Sequence, residues 1–161
     1  MTLTGSYIAN RCSEIEGLLA DAASWAKKDE KLGAHLAAYI CILILGVLED
    51  CVEHLVGQRV DKTGDNEIRN YIVKVIDERF KNPDWGKISG LLGEFSQEYK
   101  REFTDKIPHN SNEATALQDI ITNKNSLAHT GTSKLNLTVM DVEGYYRRVV
   151  PILEVLEQIL A

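Results

Sequence analysis

Residues 36–48 read LAAYICILILGVL, thirteen positions without a charge, and Glu49 and Asp50 follow at once. A bilayer span needs about 20 predominantly apolar residues, and a run of this length belongs to a buried helix instead. The stretch therefore reads as the central core helix of an all-α protein rather than as a membrane segment. A second helix of the chain begins near Asp29 or Leu32, carries this run and ends around Val56, before Gly57. Its face of Tyr39, Leu43, Gly46, Val47 and Asp50 is nearly all apolar, which predicts burial on several sides.

Helical spacing continues outward in both directions. Ile8, Cys12, Ile15, Leu18, Leu19 and Ala22 recur at that period in a first helix from about Ser6 to Lys28. DKTGDN, with Gly64 among polar residues, is a turn. A third helix spans about Asn66 to Phe80, and Pro83 ends it because the residue before a proline is pushed out of helical geometry. A fourth runs from about Gly86 to Phe103, with Ile88, Leu91, Leu92, Phe95 and Tyr99 on one stripe and with Gly90 and Gly93 as weak points. Asn110-x-x-Glu113 resembles a capping box and sets the fifth helix start near Ser111; Gly131 and the polar residues around it mark its end. Residues 135–139, LNLTV, alternate but are too short to imply a sheet. Thr138-x-x-Asp141 caps a last helix to Leu160, bent or kinked at Pro151. The expectation is one all-α bundle of five or six helices over residues 1–161.

The 161 residues are 44% hydrophobic and 26% charged, the balance of an ordinary soluble globule large enough for a core without metals or disulfides. A net charge of −6 argues against sequence-blind binding to DNA or RNA, which needs many neutralised phosphates. It leaves room for a small basic site. Lys100, Arg101 and Lys106, and Arg147 with Arg148, read as parts of a solvated mixed-charge surface. Cys12, Cys41 and Cys51 lack ligand spacing and read as buried free thiols. No signal peptide is visible at the N-terminus, and the expected location is the cytoplasm.

P-loop, GxGxxG, HExxH, GxSxG and EF-hand patterns are missing. Glu49, Asp50, Glu53 and His54 resemble a carboxylate-rich metal face, but a di-metal bundle needs a Glu-x-x-His on a second helix and none is present. They read as the polar edge of a core helix, and neither metal nor cofactor is expected. His35 and His109 stand alone. His129 is different, because it sits in Asn123–Lys134, NKNSLAHTGTSK, where the fifth helix gives out. Asn125 and His129 are one turn apart on one face. Lys124 lies five residues back, about 140° around the axis, with a stem long enough to swing toward a phosphate near the imidazole. Ser126 and Ala128 are small and permit close approach. Histidine exchanges protons near neutral pH, and a cation stabilises phosphoryl charge. From spacing alone the signal is weak, and the histidine reads first as a plain helix-end residue beside Gly131.

KNSLAHTG resembles the Arg-x4–6-His signature of HEPN domains, in the RiboL-PSP-HEPN (MAE_28990-like) branch. LILGVLEDCVEHL resembles that branch's second-helix pattern, RFKNPDWGKISGLLGEF its NPxWxKI segment, and LNLTVMDVEGYYRRVVPILEVLEQI the segment after the motif. In order, these cover roughly residues 30–160. The resemblance implies a helical bundle that dimerises and sets two motifs across a shared cleft. It also implies a metal-independent endoribonuclease, often a toxin or defence component with a partner such as an antitoxin. In that chemistry the ribose 2′-OH attacks the adjacent phosphate and leaves a 2′,3′-cyclic phosphate. Carried over, His129 is the general acid or base, Lys124 stands where the family has its arginine, and Asn125 is the polar residue after it. Glu49 matches the second-helix acidic residue, while Ser126 and Lys134 join Lys124 in contacting RNA. The motif here is Lys-x4-His, and a lysine keeps the charge without the planar fork that grips a phosphate. The alternative is a non-catalytic module for dimerisation, nucleotide binding or assembly with a partner protein.

Overall fold

The apolar run begins behind a capped helix N-terminus. Asp29 adopts extended angles, and its carboxylate accepts the Leu32 N–H at 3.0 Å. The computed structural model describes residues 3, 5–130 and 137–160, the side chains of 128–130 excepted. Among these, seven helices hold 85% of the residues and no strand occurs. They are α1 (Ser6–Ala26), α2 (Glu30–Asp61), α3 (Asn66–Arg79), α4 (Trp85–Phe95), α5 (Gln97–Lys106), α6 (Asn112–Thr130) and α7 (Val139–Leu160).

Helix α2 is the axis of the molecule. Helices α1, α3, α6 and α7 all pack against it, and Ile40, Leu45, Leu48 and Leu55 are fully buried along its length. It continues through Gly57 to Asp61, past the end expected from the sequence. Glycine inside a helix costs only about 1 kcal/mol. Gly57 is buried with Val73 of α3 beside it, and packing of that kind overrides the local weakness. Among the described helices α2 alone is long and apolar enough to cross a membrane, its best 18-residue window having a mean hydropathy of 2.0. Of that window, 44% lies buried inside the protein.

One expectation for α2 fails. Tyr39 is 56% exposed, Ile42 38% exposed, and Leu43 and Gly46 are only half-buried. The rest of the chain covers the opposite side of the helix and leaves this apolar stripe uncovered.

The helix count also differs from the expected five or six. Sequence spacing suggested one helix over Gly86–Phe103, and the chain passes through both glycines but breaks at Ser96. There φ is −162° and ψ 136°. Ser96 closes α4 and opens α5, its Oγ accepting the Glu98 N–H at 3.1 Å. Serine competes for backbone hydrogen bonds in this way at helix starts.

The links are short and chemically specified. Between α1 and α2 the chain turns so tightly that a Cβ on Gly33 would stand 2.5 Å from the Ala26 Cβ, so only glycine fits. Asp65 caps α3 through the N–H groups of Glu67 and Ile68, and Asp84 caps α4 through that of Lys87. At α6 the capping side chain is Ser111, which accepts from the Ala114 N–H at 3.2 Å, one residue later than the expected Asn110. Thr138 and Asp141 form the expected capping box at α7. Thr138 Oγ1 accepts the Asp141 N–H, and Asp141 Oδ2 accepts both the backbone N–H and the hydroxyl of Thr138. In α7 Tyr146 turns fully inward, its hydroxyl donating to the Cys12 carbonyl at 3.0 Å.

The link from α3 to α4 has the most unusual backbone. Asn82 takes φ 50°, the one positive φ outside glycine among the described residues. For an L-residue this region costs roughly 1–2 kcal/mol, and asparagine visits it more readily than most. Pro83 behind it is buried. The residue before the proline does leave helical geometry, but toward the left-handed region instead of the extended one.

Candidate functional site

Helix α6 carries the Lys-x4-His stretch. Its inner face, Ala116, Leu117, Ile120 and Ile121, is buried against the core, and it packs on α2, α7 and α4. This packing fixes where the following turn of residues points. Asn123 is buried, with its Nδ2 donating to the Asp119 carbonyl at 2.9 Å and its Oδ1 without a partner among the described residues. Lys124 is half-buried, Asn125 exposed and Ser126 half-buried. His129 lies in the last turn of α6, one turn beyond Asn125, and its side chain is outside the described structure. Gly131 and Lys134, and most of LNLTV, lie outside the described residues; Leu137 and Thr138 precede α7 without strand structure.

The structure joins two of the candidate residues through a third. The Lys124 ammonium donates to Asn82 Oδ1 at 2.5 Å. Glu49 of α2 accepts the Asn82 backbone N–H on Oε1 at 2.7 Å. Residues 33 and 42 positions away from Asn82 thus converge on it, one from each of two helices. Asn82 opens the NPxWxKI segment of the family resemblance, but the sequence assigns it no role. The available signal was the Asn-Pro pair in KNPDW, a turn marker whose contacts sequence spacing does not reveal.

The surroundings of this point mix lysines with carboxylates. Lys81 pairs with Asp77 at 2.7 Å, and Lys87 donates from its ammonium to the Lys81 carbonyl. The Lys81 amine is held above its usual range, first by the hydrogen bond to Asp77 and more weakly by the charges of Asp77, Glu49 and Glu53. Lys124 itself takes part in none of the ion pairs among the described residues. Its ammonium is held by a neutral amide, with no carboxylate within 4 Å among the described residues.

The polar edge of α2 does not gather into one ligand set. Glu49 faces Asn82, Asp50 binds Arg11 Nη2 at 2.6 Å, and His54 stacks on Tyr7 with ring centroids 4.1 Å apart. Asp50, Glu53 and His54 line a separate cleft of about 410 Å³ with Tyr7, Asp61 and Arg69, and no α6 residue reaches it. His35 is exposed, and His109 packs edge-on against Trp85 at 4.9 Å. The other basic groups are dispersed. Lys106 is tied to Glu102 and Gln158, Arg147 to Glu143, and Arg148 to the Gly144 carbonyl.

An all-α bundle whose longest helix carries a buried apolar run ending in a site-facing glutamate, with a Lys-x4-His segment on a helix beside it, defines a HEPN-type module. The chain belongs to the RiboL-PSP-HEPN family, whose model matches residues 6–161. No curated protein and no solved structure matches it.

Proposed function

We propose that the protein is a metal-independent endoribonuclease of the HEPN type, acting as one domain in the cytoplasm as a toxin or defence component. The observation that carries this reading is the convergence of Lys124 and Glu49 on Asn82, which brings a cation from the helix that bears His129 and an acidic residue of α2 to one point. His129 takes the proton from the ribose 2′-OH or gives one to the leaving 5′-oxygen. The 2′-oxygen attacks phosphorus, the P–O5′ bond breaks, and a 2′,3′-cyclic phosphate remains. Lys124 stabilises charge on the phosphoryl oxygens. Glu49 orients the site, Asn125 and Ser126 line its approach, and Lys134 extends the contact to RNA.

Dimerisation belongs to the same proposal. The exposed stripe of Tyr39, Ile42, Leu43 and Gly46 runs along α2 at helical spacing into Glu49. A Cβ on Gly46 would meet nothing within 4 Å, so the stripe offers a close approach to a second copy. Partner proteins such as an antitoxin would compete for the same face.

The test is cleavage of an RNA pool by the purified protein in EDTA. His129→Ala should abolish it while circular dichroism stays unchanged, and cleavage that survives the substitution would sink the assignment. The lysine in the arginine's place favours a second reading, a non-catalytic module for assembly or nucleotide binding. If neither the native chain nor Lys124→Arg cleaves any RNA, that reading is the better one.

A further inference from the structure

We propose that Asn82 is a positioning residue that aims the Lys124 ammonium at a substrate phosphate, giving a lysine the directionality that an arginine has in its own plane. The inference rests on the reading of α6 as an RNA-cleaving site.

A guanidinium offers donors in a fixed fork, so its orientation toward a phosphate is built in. An ammonium on a four-carbon stem has three rotatable donors and no preferred direction. In this chain one of the three is fixed on Asn82 Oδ1, which leaves two for a phosphate oxygen and defines where they point. The anchor is itself fixed. The Asn82 N–H is held by Glu49 Oε1, and Pro83 behind it is buried. Its left-handed φ of 50° turns the backbone N–H and the side-chain carbonyl toward α2 and α6 respectively.

The choice of asparagine follows from the chemistry. Its carbonyl accepts a hydrogen bond without adding negative charge, so Lys124 stays attractive to an anion. Aspartate would tolerate the same backbone but would neutralise the cation. Glycine would keep the φ and the bond to Glu49 while deleting the carbonyl.

Asn82→Gly and Asn82→Asp therefore separate the anchor from the turn. In full-length protein labelled with 15N-lysine, the Lys124 ammonium signal, assigned by its loss in Lys124→Arg, should show slowed proton exchange. Asn82→Gly should remove that protection with the helical spectrum retained, and should lower kcat about tenfold or more with little change in KM. Asn82→Asp should weaken binding to a 2′-O-methyl RNA, which cannot be cleaved, and reduce the slope of log affinity against log salt by about 1. Unchanged ammonium exchange in Asn82→Gly, or an unchanged salt slope in Asn82→Asp, overturns the proposal. Native protein that cleaves RNA no faster than Asn82→Gly overturns the positioning role and leaves the RNA reading standing. An ammonium signal that responds in a protein inert toward every RNA overturns the substrate assignment instead.

Discussion

Asn123 and Asn82 show what a single side chain adds to a helix end. Asn123 is 3% exposed, and its Oδ1 has no partner among the described residues. A buried acceptor left unsatisfied costs about 1–3 kcal/mol, whereas an apolar group of similar shape removes that penalty. Asn123→Leu is thus expected to raise the unfolding free energy by about 1 kcal/mol in urea titration; a lower midpoint would mean that the amide is satisfied in solution. At this scale the sequence was a partial guide. His129 stood out through its neighbours, and Lys124 through the family pattern. Asn82 did not, because its role arises from a backbone angle and from partners 33 and 42 residues away.

Caps and breaks decide the elements. The pair Thr138 and Asp141 was readable because its chemistry is local, and α7 starts two residues earlier than the carboxylate. Hydrogen bonds from the Thr138 hydroxyl and then its backbone N–H hold the Asp141 carboxyl below the ordinary carboxylate range. A depressed folded-state pKa contributes stability above the unfolded value, about 3.9, and loses it as pH falls through the folded value. Thr138→Ala should accordingly cost about 1 kcal/mol at pH 7, and the difference from the native chain should shrink as Asp141 protonates. Equal costs at pH 7 and pH 2.5 in denaturant titrations would contradict this. Ser96 was harder to read. Its neighbours fit one helical stripe, and the period does not register that a serine can close one helix and open the next.

For the whole molecule, hydropathy located the core and left open what faces it. The apolar run on α2 was recognisable as a core helix, yet its stripe at Tyr39 and Ile42 meets solvent. Spacing records that a face is apolar without recording whether this chain or another covers it. On the proposed reading a second copy does, so the native protein should sediment as a dimer and Tyr39→Glu should shift it toward monomer. A native chain that stays monomeric at high micromolar concentration would count against that arrangement. The three thiols supply the means of looking. Cys12, Cys41 and Cys51 are all buried, and burial pushes the Cys41 and Cys51 thiols up to about 12. Since the thiolate is the reactive form, the native chain should label only slowly with maleimides at neutral pH. A cysteine introduced at the exposed Asn125 would then be the position a spin label reaches. The spacing between two copies of α6 could be measured in solution without first stripping out the natural cysteines.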